Sequence, residues 1–275
     1  MKVAIQGELG SNSHMATVEM LGNQVGLEII ACTVSAQVLA KVVAGDVDCA
    51  VLPIENSLHG SVAEHYDLLL ELPVRIDGES LLRIRHNVIA MPGVKIGDVR
   101  KVMSHPVALS QCRRFLAAHP EVEIVPFYDT AGSVKHVMAA GLKDSAGIAP
   151  ELAAKVYGGE VLVAGLEDHA ENYTRFHLLR RDDAPVTRNE LGADKMSLAF
   201  AIEHRPGTLV AALQRLADAG VNLTKIESRP VPGSPWEYVF YVDVRFDSAE
   251  RADAALAALR EHCRMVKVLG RYKAA

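Results

Sequence analysis

The chain has 275 residues, 49% of them hydrophobic, with a formal net charge of −5. That length predicts about two domains with a sizeable core, and that apolar fraction excludes a disordered chain. The excess of acid excludes a nucleic-acid partner, which would need a basic face.

In chain order, Val3-Ala4-Ile5 reads as a strand that starts at the first residues, with no signal-peptide pattern before it. Gly7 to His14 is a turn rich in glycine and hydroxyls, and Met15 to Leu21 a helix. Such a turn either points backbone N–H groups at an anion or is a plain tight turn. No Gly-Lys-Ser/Thr follows, so it is not a nucleotide P-loop. Leu27 to Thr33 is a strand, and Ser35 caps a helix through Ala44. Cys49 to Leu52 is apolar throughout, as in a sheet covered on both faces. Polar residues Glu55-Asn56-Ser57 follow it, then Gly60-Ser61 and a helix from about Val62 to Leu72. Arg83 to Met91 reads as the next strand.

Lys101-Val102-Met103 leads into Ser104-His105-Pro106 and a helix to about Ala118, with Pro106 in its first turn. Ile124 to Phe127 is a strand, Asp129-Thr130-Ala131-Gly132-Ser133 a polar turn, and a helix runs on to Gly141. Ala146 to Ala149 is a strand, and Pro150 opens a helix to about Val156. Strand, polar turn and helix thus recur five times, which predicts an α/β sheet with right-handed crossovers. Asn172-Tyr173-Thr174-Arg175-Phe176 then sits at the start of another apolar strand. On an extended backbone Thr174 and Phe176 share a face and Arg175 opposes them.

Asp182 to Asp194 is polar and carries Pro185 and Gly192, so it reads as a linker region. Beyond it come a strand (195–202), a helix opened by Pro206-Gly207 and stopped by Gly220, and a strand from Val221 to Arg229. Pro230 to Pro235 is a turn, followed by a strand (236–246), a helix (249–262) and a strand (265–272). That order, βαββαβ, is a ferredoxin-like unit.

The four cysteines are scattered and form no Cys-x-x-Cys pair, so they read as buried free thiols in a reducing cytosol. No apolar run is long enough to span a membrane. The eleven histidines fall in no metal-ligand spacing, and no metal is expected. The polar turns at strand ends would together line a cleft suited to a small, anionic, hydroxylated ligand.

Five stretches carry a resemblance. They are Pro53-Ile54-Glu55-Asn56-Ser57-x-x-Gly60-x-Val62 with Asp67-Leu68-Leu69; Ser104-His105-Pro106-x-Ala108-Leu109-x-Gln111-Cys112; Asp129-Thr130-Ala131-Gly132-Ser133; Asn172-x-Thr174-Arg175-Phe176; and Asn222 to Pro230. In this order they are similar to the motifs of prephenate dehydratases with a C-terminal ACT domain. The resemblance implies a two-lobed, periplasmic-binding-protein-like catalytic domain (1–183), a linker (184–194) and a ferredoxin-like ACT regulatory domain (195–275). It implies a cofactor-free lyase that converts prephenate to phenylpyruvate in phenylalanine biosynthesis, cytoplasmic and assembled as a homodimer or homotetramer. With the chain beginning at a strand, the chorismate mutase domain fused to some relatives is expected to be absent. Thr174 would donate to the leaving hydroxyl and Arg175 would grip a carboxylate, while Phe176 would either pack on the ring or brace the loop. Asn56, Ser57, Ser104, Thr130 and Asn172 would bind the remaining groups, and His105 is either an acid or a helix-start residue. Phenylalanine would bind the ACT domain at Gly207, Thr208, Leu209, Asn222, Leu223, Glu227, Ser228 and Arg229 and inhibit the enzyme. Three positions depart from the family: Asn12 for an aromatic, Val107 for Gln and Pro150 for Ser. Arogenate dehydratase and a non-catalytic phenylalanine sensor are the rival readings.

Overall fold

In a computed structural model the chain forms two compact units, one of residues 1–61 and 81–176, the other of 62–80 and 177–275. The structure describes residues 1–22, 25–231 and 236–275. The expected turn at Pro230 to Pro235 lies largely outside them.

The first unit opens with strand β1 (Lys2–Gln6), helix α1 (Asn12–Leu21), β2 (Glu28–Cys32), α2 (Ser35–Ala44), β3 (Cys49–Asn56) and β4 (Gly60–Ser61). Helix α1 starts three residues before the expected Met15 because Ser11 caps it, accepting the His14 N–H at 3.4 Å. Helix α2 is preceded by Val34, so Ser35 is its buried first residue and not its cap. Strand β3 outruns the expected Leu52 and reaches Asn56. Its register with β1 ends at Val51, so Pro53 faces no β1 carbonyl that needs a donor. The strand therefore delivers Asn56 to its end, where β4 pairs back on Glu55 and Asn56.

Helix α3 (Ala63–Glu71) and most of β5 (Val74–Arg83) belong to the second unit. β5 was not foreseen, because Asp77 and Glu79 break its apolar pattern. Both are buried by pairing: Arg180 Nε reaches Asp77 at 2.9 Å and Lys195 Nζ reaches Glu79 at 2.9 Å.

The first unit continues with β6 (Asn87–Ala90), β7 (Lys101–Ser104), α4 (Pro106–Ser110), α5 (Arg113–Ala118) and β8 (Glu123–Pro126). After these come α6 (Thr130–Ala140), β9 (Ser145–Ala149), α7 (Glu151–Tyr157) and β10 (Glu160–Ala164). The single helix expected from Pro106 to Ala118 is two. The Asp168 carboxylate accepts the N–H groups of Arg113 and Arg114 at 2.9 and 3.0 Å, which starts α5 afresh and leaves Gln111 at the break. Strand β6 covers only the later half of the expected Arg83–Met91, since Arg83 ends β5.

Strand β11 (Tyr173–Arg181) starts in the first unit and ends in the second. One mixed sheet runs β2-β1-β3-β11-β5 with β4 beside β3; a second runs β10-β6-β9-β7-β8. In the second, β7 is parallel to β8 and β9, and β6 is antiparallel to β9 and β10.

The second unit adds α8 (Arg188–Leu191), β12 (Lys195–Ala201), α9 (Thr208–Asp218), β13 (Asn222–Pro230), β14 (Tyr238–Arg245), α10 (Ala249–His262) and β15 (Met265–Tyr272). Its antiparallel sheet runs β13-β14-β12-β15, the ferredoxin-like order expected. Buried Leu198, Phe200, Val242, Ala255 and Leu259 join the sheet to its helices. Helix α8 lies within the expected linker, capped by Thr187.

Candidate active site

The end of β3 and the start of β11 are joined chiefly by Asn56 and Ser57. Asn56 Oδ1 accepts the backbone N–H groups of Leu58 and His59 at 3.0 and 3.1 Å, which settles which end of its amide is oxygen. Its Nδ2 must therefore donate. Three acceptors lie in reach: Asn172 Oδ1 at 2.9 Å, Thr174 Oγ1 at 2.9 Å and the Tyr173 carbonyl at 3.1 Å. Asn172 and Thr174 sit two residues apart, on one face of the extended chain.

The polarity propagates from there. Asn172, fully buried, accepts from Asn56 and so donates through Nδ2 to Gln111 Oε1 at 3.0 Å. The same Gln111 oxygen lies 2.7 Å from His86 Nε2, and Gln111 Nε2 lies 3.0 Å from His59 Nδ1. His59 Nε2 in turn lies 3.1 Å from Ser110 Oγ, whose own proton goes to the Val107 carbonyl at 2.7 Å. Gln111 sits in a recognisable motif, but its partners are about 25 to 60 residues away, so its role was invisible.

The consequence falls on Thr174. Its oxygen accepts from Asn56, so its proton is left to point elsewhere, and the side chain is only half-buried. Arg175, on the opposite face, is 7% exposed and pairs with Glu55, Oε2 at 3.8 Å. Phe176 is 1% exposed, which favours bracing the strand over covering a ligand.

The other expected binders are placed as follows. Ser57 is bound into the β3–β11 junction: its hydroxyl donates to the Glu171 carbonyl at 2.9 Å and accepts the Tyr173 N–H at 3.0 Å. Ser104 is fully buried and donates to the Ile148 carbonyl at 2.6 Å, bracing β7 on β9. His105 caps α4, its Nδ1 accepting the Val107 N–H at 3.2 Å. Thr130 is the first residue of α6, capped by Asp129. Asn56, Asn172 and Thr174 are brought together; among the described residues no hydrogen bond ties Ser104, His105 or Thr130 to them.

The first glycine turn is a tight turn whose amides are spent within the protein. Gly7 N–H donates to the Cys32 carbonyl, Gly10 N–H to His14 Nδ1 and Ser11 N–H to the Glu8 carbonyl. Gly10 has φ +85°, and a Cβ there would stand 2.7 Å from Ala153 Cα, so only glycine fits. Burial raises the Glu8 pKa, but bonds from Lys135 and Tyr128 outweigh it and the net shift is downward. Cys112 is buried and its thiol is pushed up to about 12, an unreactive state.

In the second unit a cavity of about 260 Å³ opens beside the start of α9. Gly207, Thr208 and Leu209 line it, with Trp236, Tyr238 and Phe240 from the segment leading into β14 and from β14 itself. Gly207 caps α9 with φ +85°, and Thr208 Oγ1 is 2.8 Å from the carbonyls of Glu203 and Arg205. Asn222, Leu223, Glu227 and Ser228 lie on β13 and do not line it. Arg229 is committed to Asp67 of α3, at 2.7 and 3.3 Å.

An α/β chain that gathers Asn56, Asn172 and Thr174 into one polar network, and that also carries a ferredoxin-like sheet, has the make-up of a small-molecule enzyme. The family model for prephenate dehydratase matches residues 3–184 and that for the ACT domain matches 197–263. The chain belongs to the prephenate dehydratase family, which are lyases. It is 40% identical over 283 residues to arogenate dehydratase/prephenate dehydratase 2, chloroplastic, of Arabidopsis thaliana, covering 99% of this chain and 72% of the relative. Its fold is periplasmic-binding-like, as in the prephenate dehydratase of Arthrobacter aurescens solved with L-Phe: 31% identity, TM-score 0.88, 99% and 90% of the two chains. A structure described as GqqA, a novel type of quorum quenching acylase, is equally similar, at 33% identity and TM-score 0.88 over 100% and 98%.

Among the described residues no helix is long and apolar enough to cross a membrane, and no cluster of three His, Cys, Asp or Glu could hold a metal.

Proposed function

We propose that the protein converts prephenate to phenylpyruvate, water and carbon dioxide, the step that supplies the precursor of phenylalanine. The C1–carboxylate bond breaks and its electron pair enters the ring. The C4–oxygen bond breaks, and the oxygen leaves as hydroxide that takes up one proton to become water. Aromatisation drives the reaction, so its chemistry calls for no cofactor. The observation that carries this reading is the 2.9 Å bond from Asn56 Nδ2 to Thr174 Oγ1, which leaves the Thr174 proton to the departing oxygen. A positioned donor of that kind supplies on the order of 10²–10⁴-fold. Arg175 grips a carboxylate of the substrate, Phe176 braces the strand, and Asn172 carries the network from Asn56 to Gln111. Residues 1–183 form the catalytic domain, 184–194 the linker and 195–275 the regulatory domain.

Phenylalanine inhibits from the cavity beside α9, where helix N–H groups meet a carboxylate and the aromatic wall meets a ring. Support comes from the relative solved with L-Phe. The protein works in the cytoplasm as a homodimer or homotetramer; the half-exposed edge strand β13 supports pairing between copies. Calorimetry of phenylalanine on the full chain, and light scattering against the 29.7 kDa monomer mass, test these two points.

Amide hydrolysis is a second reading, favoured by the acylase relative and by the 3.1 Å pair of His59 Nε2 and Ser110 Oγ. The polarity of the network opposes it. With Gln111 donating to Nδ1, His59 carries its proton on Nε2 and cannot serve Ser110 as a base. Purified protein given prephenate, arogenate and a chromogenic N-acyl amide in parallel decides: ultraviolet absorbance of phenylpyruvate from prephenate is expected. Turnover of the amide alone would refute the reading.

A further inference from the structure

His86 lies at the far end of the network from Asn56. The side chain is 2% exposed, and its backbone N–H donates to Glu167 Oε2 at 3.1 Å. Nε2 lies 2.7 Å from Gln111 Oε1, while Nδ1 is buried with no hydrogen-bond partner among the described residues. A buried orphan of this kind calls for an explanation.

The network supplies one. Leu58 and His59 N–H fix Asn56, Asn56 fixes Asn172, and Asn172 leaves Gln111 Oε1 as an acceptor. An acceptor requires His86 to carry its proton on Nε2, and the lone pair on Nδ1 is then left without a donor. The opposite tautomer would set a lone pair against Gln111 Oε1 and bury an unmet N–H instead. Burial also depresses the imidazole pKa, against smaller opposing effects from Gln111 and Glu167, so the ring stays neutral.

We propose that His86 is a positioning residue for the dehydration: its Nε2–H holds Gln111 in the orientation that passes through Asn172 and Asn56 to leave the Thr174 proton free. The proposal rests on the prephenate dehydratase reading, and it adds a residue that touches neither Thr174 nor Asn56. It ties an otherwise unexplained orphan atom to the direction of one proton.

Two measurements test it. Long-range ¹⁵N–¹H correlation spectra of the labelled full chain, assigned by the signals lost in His86→Gln, should show His86 as the neutral Nε2–H tautomer near neutral pH. An Nδ1–H tautomer or a cationic ring there would overturn the proposal whatever the enzyme's substrate. In prephenate kinetics His86→Leu should lose kcat by up to about a hundredfold with little change in KM, the signature of a small misplacement. His86→Gln, which keeps a donor facing Gln111, should restore most of it. A folded His86→Leu with wild-type kcat, or a His86→Gln as slow as His86→Leu, would overturn it. If His86→Leu does not fold, the tautomer and a wild-type-like His86→Gln carry the test, and a slow but folded His86→Gln refutes it. A wild-type chain inert toward prephenate would remove the dehydratase reading and leave the tautomer to judge the geometry.

Discussion

Replacing Asn56 in two ways separates a directing role from a merely structural one. Asn56→Ala deletes the amide, freeing the Thr174 hydroxyl to rotate. Asn56→Asp keeps an oxygen for the Leu58 and His59 N–H groups but puts a second acceptor where Nδ2 stood. That oxygen would face Asn172 Oδ1 at about 2.9 Å, Tyr173 O at about 3.1 Å and Thr174 Oγ1 at about 2.9 Å. Of the three only Thr174 can answer with a proton of its own. Thr174 then donates to residue 56 and no longer to the leaving oxygen. Asn56→Asp loses the two bonds made by the amide N–H groups, about 2–3 kcal/mol, and Asn56→Ala loses those from Leu58 and His59 as well, about 4 kcal/mol in all, which a domain stable by about 5–15 kcal/mol survives. Asn56→Asp should lose kcat by about 10²–10⁴-fold, the full value of a positioned donor. Asn56→Ala should lose less, on the order of ten- to a hundredfold. Steady-state phenylpyruvate formation, with circular dichroism to confirm folding, reads both. If Asn56→Asp is the faster variant, Asn56 only holds the strands together and the reasoning is wrong.

Arg175→Lys should raise KM about tenfold, since lysine keeps the charge but loses the fork that matches a carboxylate; unchanged kinetics would make Arg175 a structural residue, as in its pair with Glu55. Stability should fall on acidification. Burial holds His86 and His14 below the ordinary 6.5 in the folded state, so below that value the unfolded chain binds protons that the folded chain refuses. The melting temperature should therefore drop from about pH 7 to about pH 5.5, less steeply in His86→Gln; a flat wild-type profile would contradict this. Lys267 donates at 2.9 Å to the carbonyls of Leu69, Leu70 and Leu72, at the C-terminal end of α3. Lys267→Met should cost about 2–3 kcal/mol by chemical denaturation, against nearly zero for a surface lysine.

Where the chemistry of an element is local, it was legible. Helix α10 and strand β15 stand at the boundaries read from sequence, because Ser248 caps the helix and the strand is a local apolar run. Strand β5 was hidden by charges whose partners, Arg180 and Lys195, lie about 100 residues on. The break between α4 and α5 was hidden because its cap, Asp168, comes from another part of the chain. The same division holds at the site. Asn56, Asn172 and Thr174 were visible as motif residues, but which of them donates is decided by two backbone amides and a buried glutamine. Ser104 looked like a ligand-binding hydroxyl at a strand end, and its proton is committed to Ile148.

The most direct test of the account is prephenate turnover by Thr174→Val beside Thr174→Ser. Valine keeps the shape and loses the hydroxyl; serine keeps the hydroxyl that Asn56 directs. The account predicts that Thr174→Val falls by about 10²–10⁴-fold in kcat while Thr174→Ser stays within about tenfold of wild type. A valine variant as fast as the serine variant would show that the directed proton does not carry the reaction.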